Sequence, residues 1–178
     1  MKDAFLILSG VSGVGKSSIM DGLKEFNFRY VSPYMTRSLR DGETDKISIS
    51  PENMRQKIDA GDFVAVNKLY GNVYGTPLED ILQYRDEGFV PMLDYPIKKV
   101  GELRERLNGK IDVVCIYISP PSLIELKRRL GDGRDKDSGR YSFAIKELSF
   151  VERGDYDGEI DMRLVNGDLE KTIGKIIQ

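Results

Sequence analysis

Apolar residues along this chain fall in short, separated runs. Phe5-Leu6-Ile7-Leu8 runs into a glycine-rich stretch, the pattern of a buried parallel strand that ends in a turn. Ile19, Met20, Leu23 and Phe26 then recur at helical spacing, which predicts a helix over Ser17–Phe26. Phe89–Leu93 and Val113–Ile118 are two more apolar runs, followed by the helical patterns Ile97–Leu107 and Ser122–Leu130. Ile160–Val165 reads as a weaker strand and Leu169–Ile177 as a last helix. Strands alternating with helices predict an α/β fold: a five-stranded parallel sheet with right-handed crossovers and helices on both faces, a three-layer sandwich.

Residues 29–77 break the alternation. They hold three strand candidates, Tyr30–Tyr34, Ile47–Ser50 and Phe63–Leu69, around one helix, Pro51–Ala60. Ser50 suits its N-cap, Pro51 its first turn and Gly61 its stop. The segment reads as a subdomain inserted into a single domain over residues 1–178, whose core is 1–28 and 78–178. Gly131–Arg140 carries no apolar residue and reads as a charged loop between two helices, a place for a lid at 131–140.

Composition removes several chemistries. The 178 residues contain no histidine, which excludes histidine triads, shuttles and metal ligands. The single cysteine, Cys115, lies inside an apolar run and reads as a core thiol; one cysteine makes neither a zinc cluster nor an intrachain disulfide. Lys+Arg total 27 against 29 Asp+Glu, a net charge of −2, unlike a general nucleic-acid binder. No run approaches the ~18 apolar residues of a membrane span, and the N-terminal apolar stretch is short for a signal peptide. A cytoplasmic protein is expected; its oligomeric state is not written in the sequence.

The chemistry begins at residue 10. Gly10-Val11-Ser12-Gly13-Val14-Gly15-Lys16-Ser17 satisfies G-x-x-x-x-G-K-[ST], after a predicted strand and at the start of a helix. Glycines let consecutive N–H groups turn toward one anion, and the helix start adds its positive dipole end. Lys16 suits the β- and γ-phosphates of a nucleotide, and the Ser17 hydroxyl suits Mg²⁺; the loop alone does not separate kinases from GTPases or ATPases. Asp94 closes the run Phe89–Leu93 at the C-terminal edge of a parallel strand. It suits the Mg²⁺ shell, the acceptor, or a helix N-cap before Pro96. Arg37 and Arg40 in the insert, and Arg129, Arg134 and Arg140 around the charged loop, offer forked donors for phosphate oxygens.

From end to end the chain resembles guanylate kinases. Leu8–Ser18 is close to their phosphate loop. Met35-Thr36-Arg37-Ser38-Leu39-Arg40-Asp41-Gly42-Glu43 is similar to T-T-R-x-P-R-x-G-E, Gly71-Asn72-Val73-Tyr74-Gly75-Thr76 to G-N-x-Y-G-[ST], and Met92-Leu93-Asp94 to the start of L-L-D-x-D. Ile118-Ser119-Pro120-Pro121-Ser122 is similar to a strand end of the family, and Gly139-Arg140-Tyr141-Ser142 to the stretch after its lid. The resemblance implies a P-loop kinase fold and the reaction of MgATP with a nucleoside monophosphate of the GMP or dGMP type, giving ADP and a diphosphate. It implies that Gly10, Ser12, Gly13, Val14, Gly15, Lys16, Ser17 and Ser18 bind ATP. Lys16, Arg134 and Arg140 neutralise the moving phosphoryl group, with Arg129 in support. Arg37, Arg40 and Tyr74 hold the acceptor phosphate, Glu43 orients the arginines, and Thr76 sits by the acceptor base. Ser17, with Asp94 as a second candidate, serves Mg²⁺.

The departures fall on base recognition. The family's F-[IL]-E-x-A is here Phe63-Val64-Ala65-Val66-Asn67, so Ala65 stands in the glutamate slot; Pro96 replaces the second aspartate of L-L-D-x-D. Pro33 stands for a serine, and Lys46 lies near the slot of a phosphate-binding tyrosine in a shortened segment. Two missing carboxylates leave guanine N1–H and N2–H donors without acceptors, at about 1–3 kcal/mol each. Two alternatives follow. One is a kinase of the same fold acting on another monophosphate or on ribose 1,5-bisphosphate, whose phosphokinases resemble the spacing around Lys46. The other is a non-catalytic guanylate-kinase-like binding module, against which the intact Gly15-Lys16-Ser17 argues.

Overall fold

The structure, a computed structural model, describes residues 3–69, 71–131 and 139–178. The larger sheet is built from β1 (Ala4–Ser9), β2 (Phe28–Tyr30), β7 (Val90–Asp94), β8 (Asp112–Ser119) and β9 (Met162–Val165). These five strands run parallel in the order β2-β7-β1-β8-β9. All six residues of β1 are buried, as its continuous apolar run requires for a central strand. The smaller sheet is built from β3 (Tyr34–Met35), β4 (Ile47–Ser48), β5 (Phe63–Leu69) and β6 (Asn72–Pro77), in the order β4-β3-β6-β5. The α/β architecture and the five parallel strands agree with the sequence reading.

One predicted strand divides in two. The run at Tyr30–Tyr34 supplies an edge strand to the larger sheet, where Phe28–Tyr30 pairs parallel with Val90–Met92, and a short strand to the smaller one, where Tyr34 and Met35 pair with Gly75 and Tyr74. Val31 and Pro33 are buried between them. Continuous apolar character does not reveal which sheet receives each half. Strand β6 is absent from the sequence-based expectation. Its Asn-Val-Tyr-Gly-Thr-Pro sequence has a glycine inside, yet Gly75 is required there, because a Cβ would come within 2.7 Å of the Phe63 ring.

Seven α-helices are described: α1 (Lys16–Leu23), α2 (Pro51–Ala60), α3 (Leu78–Asp86), α4 (Val100–Leu107), α5 (Leu123–Gly131), α6 (Arg140–Glu152) and α7 (Leu169–Ile177). Helix α2 has the caps its sequence predicts. The Ser50 hydroxyl accepts the Asn53 N–H at 3.1 Å, and Gly61 closes the helix at φ 78°. The pattern at Ile97–Leu107 resolves into a 3₁₀ turn, Ile97–Lys99, ahead of α4. Cys115 is buried, as its apolar run predicts. No helix of the described residues is long and apolar enough to cross a membrane.

The chain divides into two compact units. The first comprises Met1–Phe5, Asn27–Leu93 and Glu102–Val113 and contains the smaller sheet with α2 and α3. The second comprises Leu6–Phe26, Asp94–Gly101 and Val114–Gln178 and contains the glycine-rich loop with α1 and α5–α7. In the second, Gly22 of α1 lies against Ile173 of α7, and a methyl group at that position would collide with the isoleucine.

Candidate active site

In the second unit the loop at residues 10–15 is set by glycine. Gly10, Gly13 and Gly15 have φ of 139°, 85° and 93°, values that side-chain-bearing residues rarely adopt. Gly10 also lies against the Ile118 carbonyl of β8, leaving no room for a Cβ. No side chain caps α1, so its first N–H groups remain as donors for an anion. Lys16 Nζ lies over the loop and donates to Gly10 O at 2.5 Å and Val11 O at 3.1 Å. Burial lowers the Lys16 pKa below the ordinary lysine range, opposed by the Asp94 and Glu147 carboxylates. Ser17 and Ser18 are exposed at the helix start. At the end of β1 the Ser9 hydroxyl is 1% exposed and, among the described residues, is the buried side-chain polar atom without a hydrogen-bond partner.

Asp94 ends β7, and its carboxylate acts electrostatically on Lys16. Pro96, and not Asp94, occupies the N-cap position of the following turn. Glu147 of α6 also acts on Lys16 and accepts a 3.1 Å hydrogen bond from the buried Tyr117 hydroxyl, whose pKa burial pushes up. Arg129 near the end of α5 donates to Glu125 at 2.8 Å and to the Asn166 carbonyl at 3.4 Å. Two arginines hold the Glu125 carboxyl near a pKa of about 2. Arg140 is half-buried in the first turn of α6. Arg134 lies outside the described residues.

The first unit brings together most of the predicted acceptor residues. Arg37 donates from both terminal nitrogens to Glu43 at 2.7 Å and from Nε to the Tyr74 hydroxyl at 3.1 Å. Glu43 also accepts the Arg40 backbone N–H at 3.1 Å and pairs with Lys46 at 3.2 Å. The Arg37 guanidinium, first among these partners, holds the Glu43 carboxyl at a pKa of about 2. Glu43 thus fixes the Arg37 fork, while the Arg40 side chain stays exposed. Lys46 joins the cluster through Glu43 and Asp45. Thr76 is buried and stands in register with Ala65, two residues along β6 from Tyr74 and therefore on its face. Ala65, at 4% exposure, has no group to offer a base.

The sequence reading missed Glu147, Tyr117 and Asn166. Glu147 lies in α6, whose extent the sequence pattern does not mark, and Tyr117 is hidden in an apolar run. Asn166 follows strand β9 directly, and a polar residue at the C-terminal edge of a parallel strand is the signal that points to it.

Comparison with known proteins places this geometry in a family. The guanylate kinase family profile matches residues 2–178. A guanylate kinase of Clostridium perfringens is 31% identical over 98% of this chain and 81% of its own length. One from Clostridium tetani is 32% identical over 98% and 84%. The crystal structure of a guanylate kinase from Anaplasma phagocytophilum superposes with a TM-score of 0.71 at 26% identity, covering 98% of this chain and 82% of that one. With its glycine-built loop, its arginine–glutamate cluster and a match across nearly all its residues, the chain belongs to the guanylate kinase family, whose members are nucleoside monophosphate kinases.

Proposed function

We propose that this protein transfers the γ-phosphoryl group of ATP to GMP, giving ADP and GDP. The observation that carries the reading is the uncapped start of α1, with Lys16 Nζ poised over the loop carbonyls. An oxygen of the acceptor phosphate attacks the γ-phosphorus as the bond to the bridging β–γ oxygen breaks, and ADP leaves. No covalent intermediate is needed: the protein positions two anions and neutralises their charge. The Gly10–Ser18 backbone cradles the donor phosphates, and Lys16, Arg129 and Arg140 supply positive charge. Ser17, with Asp94 near Lys16, would hold Mg²⁺, which takes few protein ligands and otherwise phosphate oxygens and water. When bound, Mg²⁺ offsets charge on the β- and γ-oxygens.

Residues 29–77 receive the acceptor in this reading. Arg37 is held ready for its phosphate by Glu43, with Arg40, Lys46 and Tyr74 beside it, and Thr76 faces the base. Lys46, as a point charge, takes the part of the missing tyrosine. With Ala65 and Pro96 in the carboxylate slots, Thr76 and backbone groups make the base contacts. The protein acts in the cytoplasm, where ATP and nucleoside monophosphates are kept.

The test is a turnover screen. Purified protein, ATP and Mg²⁺ are offered GMP, dGMP, AMP, CMP, UMP, dTMP and ribose 1,5-bisphosphate, and ADP release is followed. GMP is expected to give the highest kcat/KM, and Lys16→Ala to lower kcat at least ~100-fold, the scale of one preorganised electrostatic group. Preference for another acceptor would overturn the assignment of GMP. Silence with every acceptor and no ATP binding would point to a binding module.

A further inference from the structure

The glycines that shape the phosphate loop also leave it free to misorient. Val14 lies between Gly13 and Gly15, at φ 85° and 93°. The Val14–Gly15 peptide turns about Val14 ψ and Gly15 φ, and a glycine at 15 admits orientations that a side chain would forbid. In a trans peptide the carbonyl and the following N–H point in opposite directions, so whatever holds the Val14 carbonyl also aims the Gly15 N–H.

The partner that holds it comes from the far end of the chain. Asn166, 6% exposed, donates its side-chain amide to Val14 O at 2.8 Å. Its own backbone N–H is fixed to Ser119 O at 2.9 Å. The Thr172 hydroxyl of α7 lies 3.2 Å from Asn166 Oδ1 and 2.7 Å from Asp168 O, sharing its proton between them. The Asn166 carbonyl in turn receives Arg129 at 3.4 Å. A Cβ at Gly15 would stand 2.6 Å from the Asn166 amide nitrogen, so the motif glycine and this asparagine occupy adjoining space. One buried residue therefore touches the loop, the last turn of α5 and the first turn of α7.

We propose that Asn166 is the positioning residue of the phosphate loop: it locks the Val14–Gly15 peptide so that the Gly15 N–H faces the ATP phosphates, and it ties Arg129 to the same point. This rests on the reading of the loop as the ATP site. Asn166 acts through the loop, without touching the reacting atoms. Removing the amide leaves Val14 O without its partner and lets the peptide sample orientations that do not bind phosphate.

The test measures binding of MgATP and of GMP separately by calorimetry, along with thermal stability. Asn166→Ala is expected to raise the Kd for MgATP about tenfold, the scale of one buried hydrogen bond, and to leave that for GMP within about twofold. Asn166→Asp keeps the shape but loses the donor. Its affinity for MgATP is expected to fall similarly near pH 8, and to recover relative to wild type as pH is lowered and the carboxyl regains a proton to donate. If neither variant folds, Thr172→Val is decisive, with an expected loss of about threefold for MgATP only. Folded variants with wild-type affinity for MgATP would overturn the inference. So would equal loss for both ligands in step with a lower Tm, the mark of simple structural support. Wild-type protein that fails to bind MgATP would overturn the reading of the site itself, and this inference with it.

Discussion

Glu43 shows how one carboxylate organises a cluster of basic side chains. It engages the Arg37 guanidinium, the Arg40 N–H and Lys46 together, and its pKa is held at about 2 against an ordinary 4.5. A group with a depressed folded-state pKa adds stability above its unfolded value and loses it as pH falls through the folded one. The pairing is therefore complete above pH 4.5 and lost toward pH 2. Because the site is shallow and solvent screens it, the contribution is roughly 1 kcal/mol. Glu43→Gln is expected to flatten the decline in stability between pH 4.5 and about 2, followed by denaturant titration with circular dichroism. An unchanged slope would remove Glu43 from the pH response. Arg37 was legible as a forked donor, while Glu43 and Tyr74 were expected only because their stretches resemble guanylate kinase motifs. Glu147 was not legible, because a single polar residue inside a helix carries no spacing of its own.

Among the elements, glycines separate two kinds of necessity. Gly61 ends α2 at φ 78° with nothing within 4 Å of where an added methyl group would stand, so Gly61→Ala meets only the backbone penalty, about 1 kcal/mol. Gly10 has φ 139° and faces the Ile118 carbonyl, so Gly10→Ala adds a backbone collision to that penalty and is expected to cost more than about 2 kcal/mol. Urea denaturation of the two variants checks the order; equal losses would mean that the β8 contact gives way freely. Strands with continuous apolar runs, β1 and β8, the capped helix α2 and the amphipathic helix α7 were readable because burial, end chemistry and spacing are local. The split between β2 and β3 was not, since their pairing partners lie roughly 40 to 60 residues away. Strand β6 was not either, although it pairs with the neighbouring β5, because its internal glycine and final proline read as strand breakers.

For the whole molecule, the glycine-rich loop and the Arg37–Glu43 cluster belong to different compact units. Arg37→Ala is expected to weaken GMP binding by about tenfold or more, the scale of a charge-assisted bidentate contact, with ATP binding unchanged. Calorimetric titration of each nucleotide checks this, and equal loss of both would contradict the division of labour. The sequence by itself determined the α/β class and the glycine-rich loop at the start of a helix, because each rests on neighbours in the chain: a run, a spacing, a turn. Only the tertiary structure decided that Asn166 holds Val14, that Tyr117 supports Glu147 beside Lys16, and that Ala65 and Thr76 share a register. Those contacts join residues far apart in sequence, and the chain carries no local mark of which distant group will complete a hydrogen bond.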